Sequence, residues 1–209
     1  MVTFFDKLKK IFNENGFRLY MVGGTSRDYL LNLKIKDFDF VTDALPEETL
    51  KFLKCDDVFK KFGVLIYKED KIRCEIVTFR KEEGYEDFRH PQKIIFVKSI
   101  EEDYVRRDFT INSLYIDENY NVIDPTNMGV KDLNDKILRF IGDPIKRIKE
   151  DPLRILRAER FVKKYNLKIE ENSLKAIKEN YNLINKLKIE KVEEEKRKGK
   201  LWDMKIQVH

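Results

Sequence analysis

The chain has 209 residues, 39% of them charged, yet 42% are hydrophobic and 12% aromatic, which is the composition of a globular protein and not of a disordered one. Its net charge of +5 is a modest excess that suits an anionic partner without amounting to a basic tail. Two cysteines, Cys55 and Cys74, exclude a disulfide framework and a cysteine zinc site; no run is apolar enough to span a bilayer and no signal-peptide pattern opens the chain, so a cytoplasmic protein without a membrane partner is expected.

In chain order, residues 3–15 have the periodicity of an amphipathic helix with Phe4, Phe5, Leu8, Ile11 and Phe12 on one side. Leu19 to Val22 form a short strand, and Gly23-Gly24 break it. Ser26 is placed to cap a helix running through Tyr29, Leu30 and Leu31. A glycine pair feeding a helix N-terminus leaves N–H groups that suit a phosphate, although the same pair reads equally as a tight turn. In the next strand the period of two puts Asp37 and Asp39 on one face and Phe38 and Phe40 on the other. Two such carboxylates suit magnesium, and a metal site beside a phosphate cradle points to phosphoryl or nucleotidyl transfer. Taken alone, the Asp-Phe-Asp-Phe stretch is also an ordinary amphipathic edge strand.

Pro46 starts a helix to Lys54, and 63–68 and 72–79 are strands. On the second, Glu75 is a third carboxylate if that strand lies beside Asp37 and Asp39, and a plain surface residue otherwise. Residues 80–92 are polar and irregular, ended by Pro91; 93–97 is a strand and Glu101-Glu102-Asp103 opens an acidic helix. Arg106-Arg107-Asp108 offers guanidinium groups suited to bidentate phosphate contacts or to a surface salt-bridge cluster, and a strand follows near Leu114 to Asp117.

After Gly142-Asp143-Pro144 the pattern becomes helical over 144–164 and 170–195. Asp151 is the expected N-cap and Pro152 the first turn of a helix bearing Arg154, Arg157 and Arg160 along one side. That helix reads either as a capped helix with a solvated basic face or as a base reader. Cytosine and adenine both present an amine donor beside a ring-nitrogen acceptor, and an Asp151–Arg154 pair complements that edge while refusing uracil and guanine. The other arginines are then available to a triphosphate. The expected organisation is α+β, with a head over 1–140, a helical neck over 141–200, and a tail over 201–209, including Trp202, of no assigned structure.

The ordered series Gly23-Gly24-x-x-Arg27-Asp28, Asp37-x-Asp39, Glu75-Ile76-Val77-Thr78-Phe79-Arg80, Tyr85-x-Asp87-x-Arg89-His90-Pro91, Arg106-Arg107-Asp108-Phe109-Thr110-Ile111-Asn112 and Glu150-Asp151-Pro152-Leu153-Arg154 resembles the bacterial and eukaryotic class (class II) of tRNA nucleotidyltransferases. These CCA-adding enzymes share their head with bacterial poly(A) polymerases. The resemblance runs from about residue 17 to 185. It implies a polymerase-β-type head, a mixed sheet with flanking helices, followed by an all-helical neck. It implies an enzyme that adds C and A to tRNA 3′ ends from CTP and ATP with magnesium ions on Asp37 and Asp39, Glu75 completing the catalytic carboxylates. Gly24 and Arg27 are then expected at the triphosphate, Arg107 at the sugar, and Asp151 and Arg154 at the base. Arg157 and Arg160 complete the pocket, and Gly23, Asp28, Asp108 and Asn112 join the nucleotide-binding set by their places in these motifs. Residues 80–92 resemble the family's flexible loop.

Ser26 and Glu159 stand where the family has apolar side chains, and Glu190-Lys191 where it has a Glu-Arg pair. The chain stops near the end of the neck, without the family's body and tail. It is therefore a fragment, a shortened enzyme relying on a homodimer or a partner subunit, or a protein with a changed task. The alternatives to CCA addition are a poly(A) or A-adding polymerase on the same head and a non-catalytic nucleotide- or RNA-binding subunit.

Overall fold

A computed structural model describes residues 2–35, 37–85 and 91–199. Among them two compact units separate. The first contains the stretches up to Glu82, from Ile94 to Arg107 and from Asn112 to Gly129; the second contains Glu83 to Lys93, Asp108 to Ile111 and the chain from Val130 onward.

The first unit is a mixed sheet with helices. Its elements are α1 (Val2–Glu14), β1 (Leu19–Met21), α2 (Gly23–Leu30), β2 (Phe38–Thr42), α3 (Pro46–Phe52), β3 (Val64–Glu69) and β4 (Ile72–Thr78). Then come β5 (Arg80–Tyr85) and β6 (Pro91–Phe96), whose residues Glu83 to Tyr85 and Pro91 to Lys93 fall in the second unit, followed by α4 (Ile100–Asp103), β7 (Tyr115–Ile116) and β8 (Val122–Ile123). The strand order is β3-β4-β2-β1-β7-β8, with β2 and β4 parallel and the other pairs antiparallel. Alternation along the strands sorts the core onto two faces. Leu19, Met21, Phe38, Phe40, Cys74 and Ile76 pack with Phe4, Phe5, Leu8 and Phe12 of α1. Tyr20, Val22, Val41, Phe79, Ile100 and Tyr115 form the second cluster.

The first cluster is held by rings. Phe4 lies 5.1 Å from Phe38 and Phe5 lies 5.6 Å from Phe40, centroid to centroid, and Phe38 and Phe40 are themselves 5.9 Å apart. Spacings in this range add to the burial energy of each ring. Phe40 is fully buried, and truncation to alanine there carries a cost of about 3–5 kcal/mol.

Two expectations need correction here. Ser26 does not cap α2: the helix already begins at Gly23, Val22 occupies the cap position, and the buried Ser26 hydroxyl donates to Gly23 O at 3.3 Å. The glycines enter the helix because the chain turns at Gly23, with φ +62°, directly after the strand. Residues 80–92 are not irregular throughout, since β5 and β6 pair as a two-stranded sheet whose second strand opens at Pro91. Proline at the first position of a strand removes no interior ladder bond. Asp87, Arg89 and His90 lie outside the described residues, as does the tail over 201–209.

The second unit continues with α5 (Gly129–Asn134), β9 (Ile137–Leu138), α6 (Pro144–Glu150), α7 (Leu153–Tyr165), β10 (Lys168–Ile169), α8 (Glu171–Asn180) and α9 (Ile189–Gly199). The neck expected to be all-helical contains one strand, β10, parallel to β9. It forms because Asn166 ends α7 at φ +51° and turns the chain back alongside residues 136–138. Asp143 caps α6 by accepting from Ile145 N at 2.9 Å, and Glu170 caps α8 by accepting from Ser173 N at 2.9 Å. Phe109 packs against Phe140 at 4.9 Å and Phe161 at 5.7 Å.

Candidate active site

The parallel register of β2 and β4 places Asp39 opposite Glu75, with Phe38 opposite Cys74 and Phe40 opposite Ile76. Phe38, Phe40 and Ile76 point into the α1 core. Asp39 and Glu75 therefore share the other face. Glu75 also pairs with Arg73 at 3.3 Å near solvent. Asp37 is exposed just ahead of β2, and Asp39 is half-buried.

The start of α2 is bolted to this strand. Val22 N donates to Asp39 O at 3.1 Å, and Gly24 N donates to Asp39 Oδ2 at 3.2 Å. Thr25, fully buried, accepts from Asp39 N at 2.6 Å and donates to Asp37 O at 3.2 Å through its one hydroxyl. Thr25 was not singled out in the sequence; a small hydroxyl directly after a glycine pair is its only signal there. The Gly24 amide is thus engaged by a carboxylate of the same chain, whereas the sequence left it open to phosphate. A Cβ on Gly24 would stand 3.1 Å from Asp39 Oδ2, which explains a glycine at this position.

Burial, and after it the charge of Glu75, push the Asp39 carboxyl up to about 6, against the Gly24 N–H and the charges of Arg107 and Arg27. A carboxylate disfavoured in this way gains from a nearby cation. Asp37 and Asp39 supply hard oxygen donors that fit magnesium. Among the described residues no group of three or more histidine, cysteine or acidic side chains is arranged to hold a metal. Magnesium usually takes one or two carboxylates and fills the rest of its shell with water and substrate phosphate.

Arg27 is buried in α2. It pairs with Asp28 Oδ1 at 3.1 Å through Nη2, and Nη1 donates to Asn112 Oδ1. This brings Arg27, Asp28 and Asn112 together.

Arg107 leans on two residues that sequence reasoning missed. Asp103, fully buried at the end of α4, accepts from Arg107 Nη2 at 2.8 Å, Arg106 Nε at 2.9 Å and Arg80 N at 3.1 Å. The Tyr115 hydroxyl donates to Asp103 Oδ2 at 2.7 Å and accepts from Arg107 Nε at 2.9 Å. Burial alone would raise Asp103, but Arg106 and Arg107 outweigh it and hold the carboxyl well below the carboxylate range. Burial pushes the Tyr115 hydroxyl above its usual range. The signal available in the sequence was spacing, since Asp103, Arg106 and Arg107 stand at i, i+3 and i+4.

In the second unit, α7 begins at Leu153, and Pro152 takes the cap position expected of Asp151. Asp151 still serves the helix start, accepting from Leu153 N at 3.0 Å, and its carbonyl accepts from Arg154 N at 3.1 Å. The arginines do not form a solvated face. Arg154 is buried and donates to Arg147 O at 2.6 Å and Glu150 Oε2 at 3.0 Å. Arg157 pairs through Nε with Asp108 Oδ2 at 2.8 Å, which joins two of the expected nucleotide residues to each other. Burial opposes the Arg157 charge, but Asp108 outweighs it and raises its pKa. Arg160 pairs with Glu195 of α9, itself buried. Glu159, buried where the family pattern is apolar, accepts from Tyr181 OH at 3.0 Å.

The chain is similar to known proteins along most of its length. The poly A polymerase head domain family matches residues 19–139. A CCA-adding enzyme of Pediococcus pentosaceus is 44% identical over 186 residues, covering 88% of this chain and 46% of the relative. The crystal structure of the Bacillus stearothermophilus CCA-adding enzyme in complex with CTP superposes with a TM-score of 0.84 at 33% identity, covering 93% of this chain and 47% of that one. The Thermotoga maritima CCA-adding enzyme complexed with tRNA gives a TM-score of 0.73 at 27% identity, over 97% of this chain and 47% of that one. The chain thus spans about half the length of the relatives it matches. It belongs to the poly A polymerase head-domain family, in the class II tRNA nucleotidyltransferase group.

Proposed function

We propose that this chain carries the catalytic head and base-reading helices of a cytoplasmic CCA-adding enzyme, which transfers CMP and AMP from CTP and ATP to the 3′ end of tRNA. The observation that carries the reading is the Asp39 carboxylate, set opposite Glu75 and tied to Gly24 at the mouth of α2. In the reaction the RNA 3′-oxygen attacks the α-phosphorus, the bond to the β-phosphate oxygen breaks, and pyrophosphate leaves while the hydroxyl proton passes to solvent. Asp37 and Asp39 would hold magnesium, which when bound lowers the pKa of the attacking hydroxyl and neutralises charge on the phosphates. Arg27 and Arg107 add positive charge felt at Asp39, in the place where a triphosphate needs it. Glu75 acts by raising the Asp39 carboxyl and so strengthening its attraction for a cation. No covalent enzyme intermediate is required, and positioning with electrostatics carries the rate.

The first unit is proposed as the head and the helices from α6 onward as the neck, with Asp151 and Arg154 choosing C and A. The relatives are about twice as long. We propose that their remaining half, or a second copy or partner subunit standing in for it, completes the grip on tRNA. The test is incubation with magnesium, labelled CTP and ATP, and tRNA ending at the discriminator base. Addition of two C and one A supports the reading. Incorporation of A alone would turn it to an A-adding polymerase, and no incorporation with intact CTP binding to a binding subunit.

A further inference from the structure

We propose that Asp103 and Tyr115 are positioning residues that fix the Arg107 guanidinium for the incoming nucleotide; this rests on the reading of Arg107 as a nucleotide contact. Three features carry it. First, the bonds are directional. Asp103 Oδ2 and the Tyr115 hydroxyl together take the Nε–Nη2 edge of Arg107, at 2.8 to 3.2 Å, and bond to each other at 2.7 Å. A planar guanidinium held along one edge has its Nη1 direction set. Second, the Arg107 guanidinium carbon lies 5.1 Å from the Tyr115 ring centroid, within cation–π reach, so the ring adds to the hold of its hydroxyl. Third, burial is graded: Asp103 is fully enclosed, while the Arg107 side chain keeps 12% exposure. The anchor is dry and the arginine reaches the surface.

The second oxygen of Asp103 is used as well. Oδ1 accepts from Arg80 N at 3.1 Å and from Arg106, so the carboxylate is itself immobilised from β5 and from its own turn. Arg18 provides the contrast. It pairs with Asp43 at 3.1 Å, but its side chain is 58% exposed and no ring lies beneath it among the contacts of the described residues. An arginine of that kind must lose rotamer freedom when it takes a ligand, whereas Arg107 has lost it already on folding.

The experiment is a double-mutant cycle on the full chain, read by equilibrium binding of CTP and ATP and, with tRNA, by KM against kcat. Tyr115→Phe keeps the buried ring and removes only the hydroxyl. It is expected to raise Kd and KM about tenfold while kcat stays within about twofold. In the Arg107→Ala background the same change should add nothing, because its effect passes through Arg107. A merely structural role would lower Tm and act equally in both backgrounds. Unchanged Kd in Tyr115→Phe, or an effect that adds fully to Arg107→Ala, overturns the positioning role alone. Arg107→Ala with unchanged Kd, or no saturable CTP binding by the unaltered chain, overturns the nucleotide reading and this role with it. Asp103→Asn is the companion variant, with a larger expected rise in Kd. Should it fail to fold, the Tyr115→Phe cycle decides.

Discussion

Gly24 and Asp39 approach so closely that the backbone amide of one bonds the carboxylate of the other at 3.2 Å, leaving 3.1 Å for any Cβ. Gly24→Ala therefore sets two effects against each other. Alanine favours the first turn of α2 by about 0.5–1 kcal/mol, while the carboxylate must shift by a few tenths of an ångström. The expected outcome is a Tm unchanged or slightly raised with kcat lowered about tenfold or more. Thermal melts and single-turnover CTP incorporation check both halves.

The raised Asp39 carboxyl, at about 6, makes the fold pH-dependent. Between about 4, the unfolded value, and about 6 the native state binds the extra proton, so this group contributes stability below its unfolded pKa that is lost as pH rises through the folded one. Asp39→Asn should therefore stabilise the protein at pH 7, by at most about 3 kcal/mol, and abolish transfer. Magnesium should raise the Tm of the unaltered chain more at pH 7 than at pH 5, and Asp39→Asn should lose that difference. Equal shifts at both pH values would remove Asp39 from the metal site. Asp37→Ala should likewise stop transfer with nucleotide binding largely kept.

Asp151→Ala removes the carboxylate from the start of α7, at a cost of about 1 kcal/mol. Arg154→Ala removes one of the two arginines on Glu150 Oε2, the other being Arg147, and should cost about 2 kcal/mol. Both should relax selectivity, admitting UTP and GTP. Incorporation assays with each single nucleotide decide this, and complete exclusion of both in both variants would end the pairing argument.

Glu195→Gln tests the tie between α9 and α7. Breaking a buried ion pair from one side should lower stability by about 3 kcal/mol. Arg160→Gln should cost a similar amount, and the double variant little more than either alone. Denaturant melts give the three values, and CTP affinity of Arg160→Gln at a temperature where it is folded separates this tie from a nucleotide contact.

Much of the frame could be read from local pattern. The α1 stripe of Phe4, Phe5, Leu8 and Phe12 is buried, and the two-residue period put Phe38 and Phe40 in the core. What local pattern could not give was pairing between distant segments. Glu75 became a neighbour of Asp39 only through the β2–β4 register, 36 positions apart by their numbers. A solvated face stayed open as one reading of the α7 arginines because the acidic partners of Arg157 and Arg160, Asp108 and Glu195, lie 49 and 35 positions away. Ser26 misled because glycine at a strand end let the helix start four residues early, with Val22 and not Ser26 at the cap. Asp103 hid in a stretch that looked like an acidic helix start, since burial of a carboxylate leaves no trace in composition.

The rings beneath β2 carry a practical meaning for the first fourteen residues. Phe4 and Phe5 are the floor under the strand that bears Asp39, so α1 is the bedplate of the proposed catalytic carboxylates. Thinning that floor, as in Phe5→Leu, should leave nucleotide affinity close to normal while turnover falls, because a carboxylate on a softer strand spends less time in its working position. Trimming the chain into α1 should therefore lower the proposed transfer from the sheet face opposite Asp39.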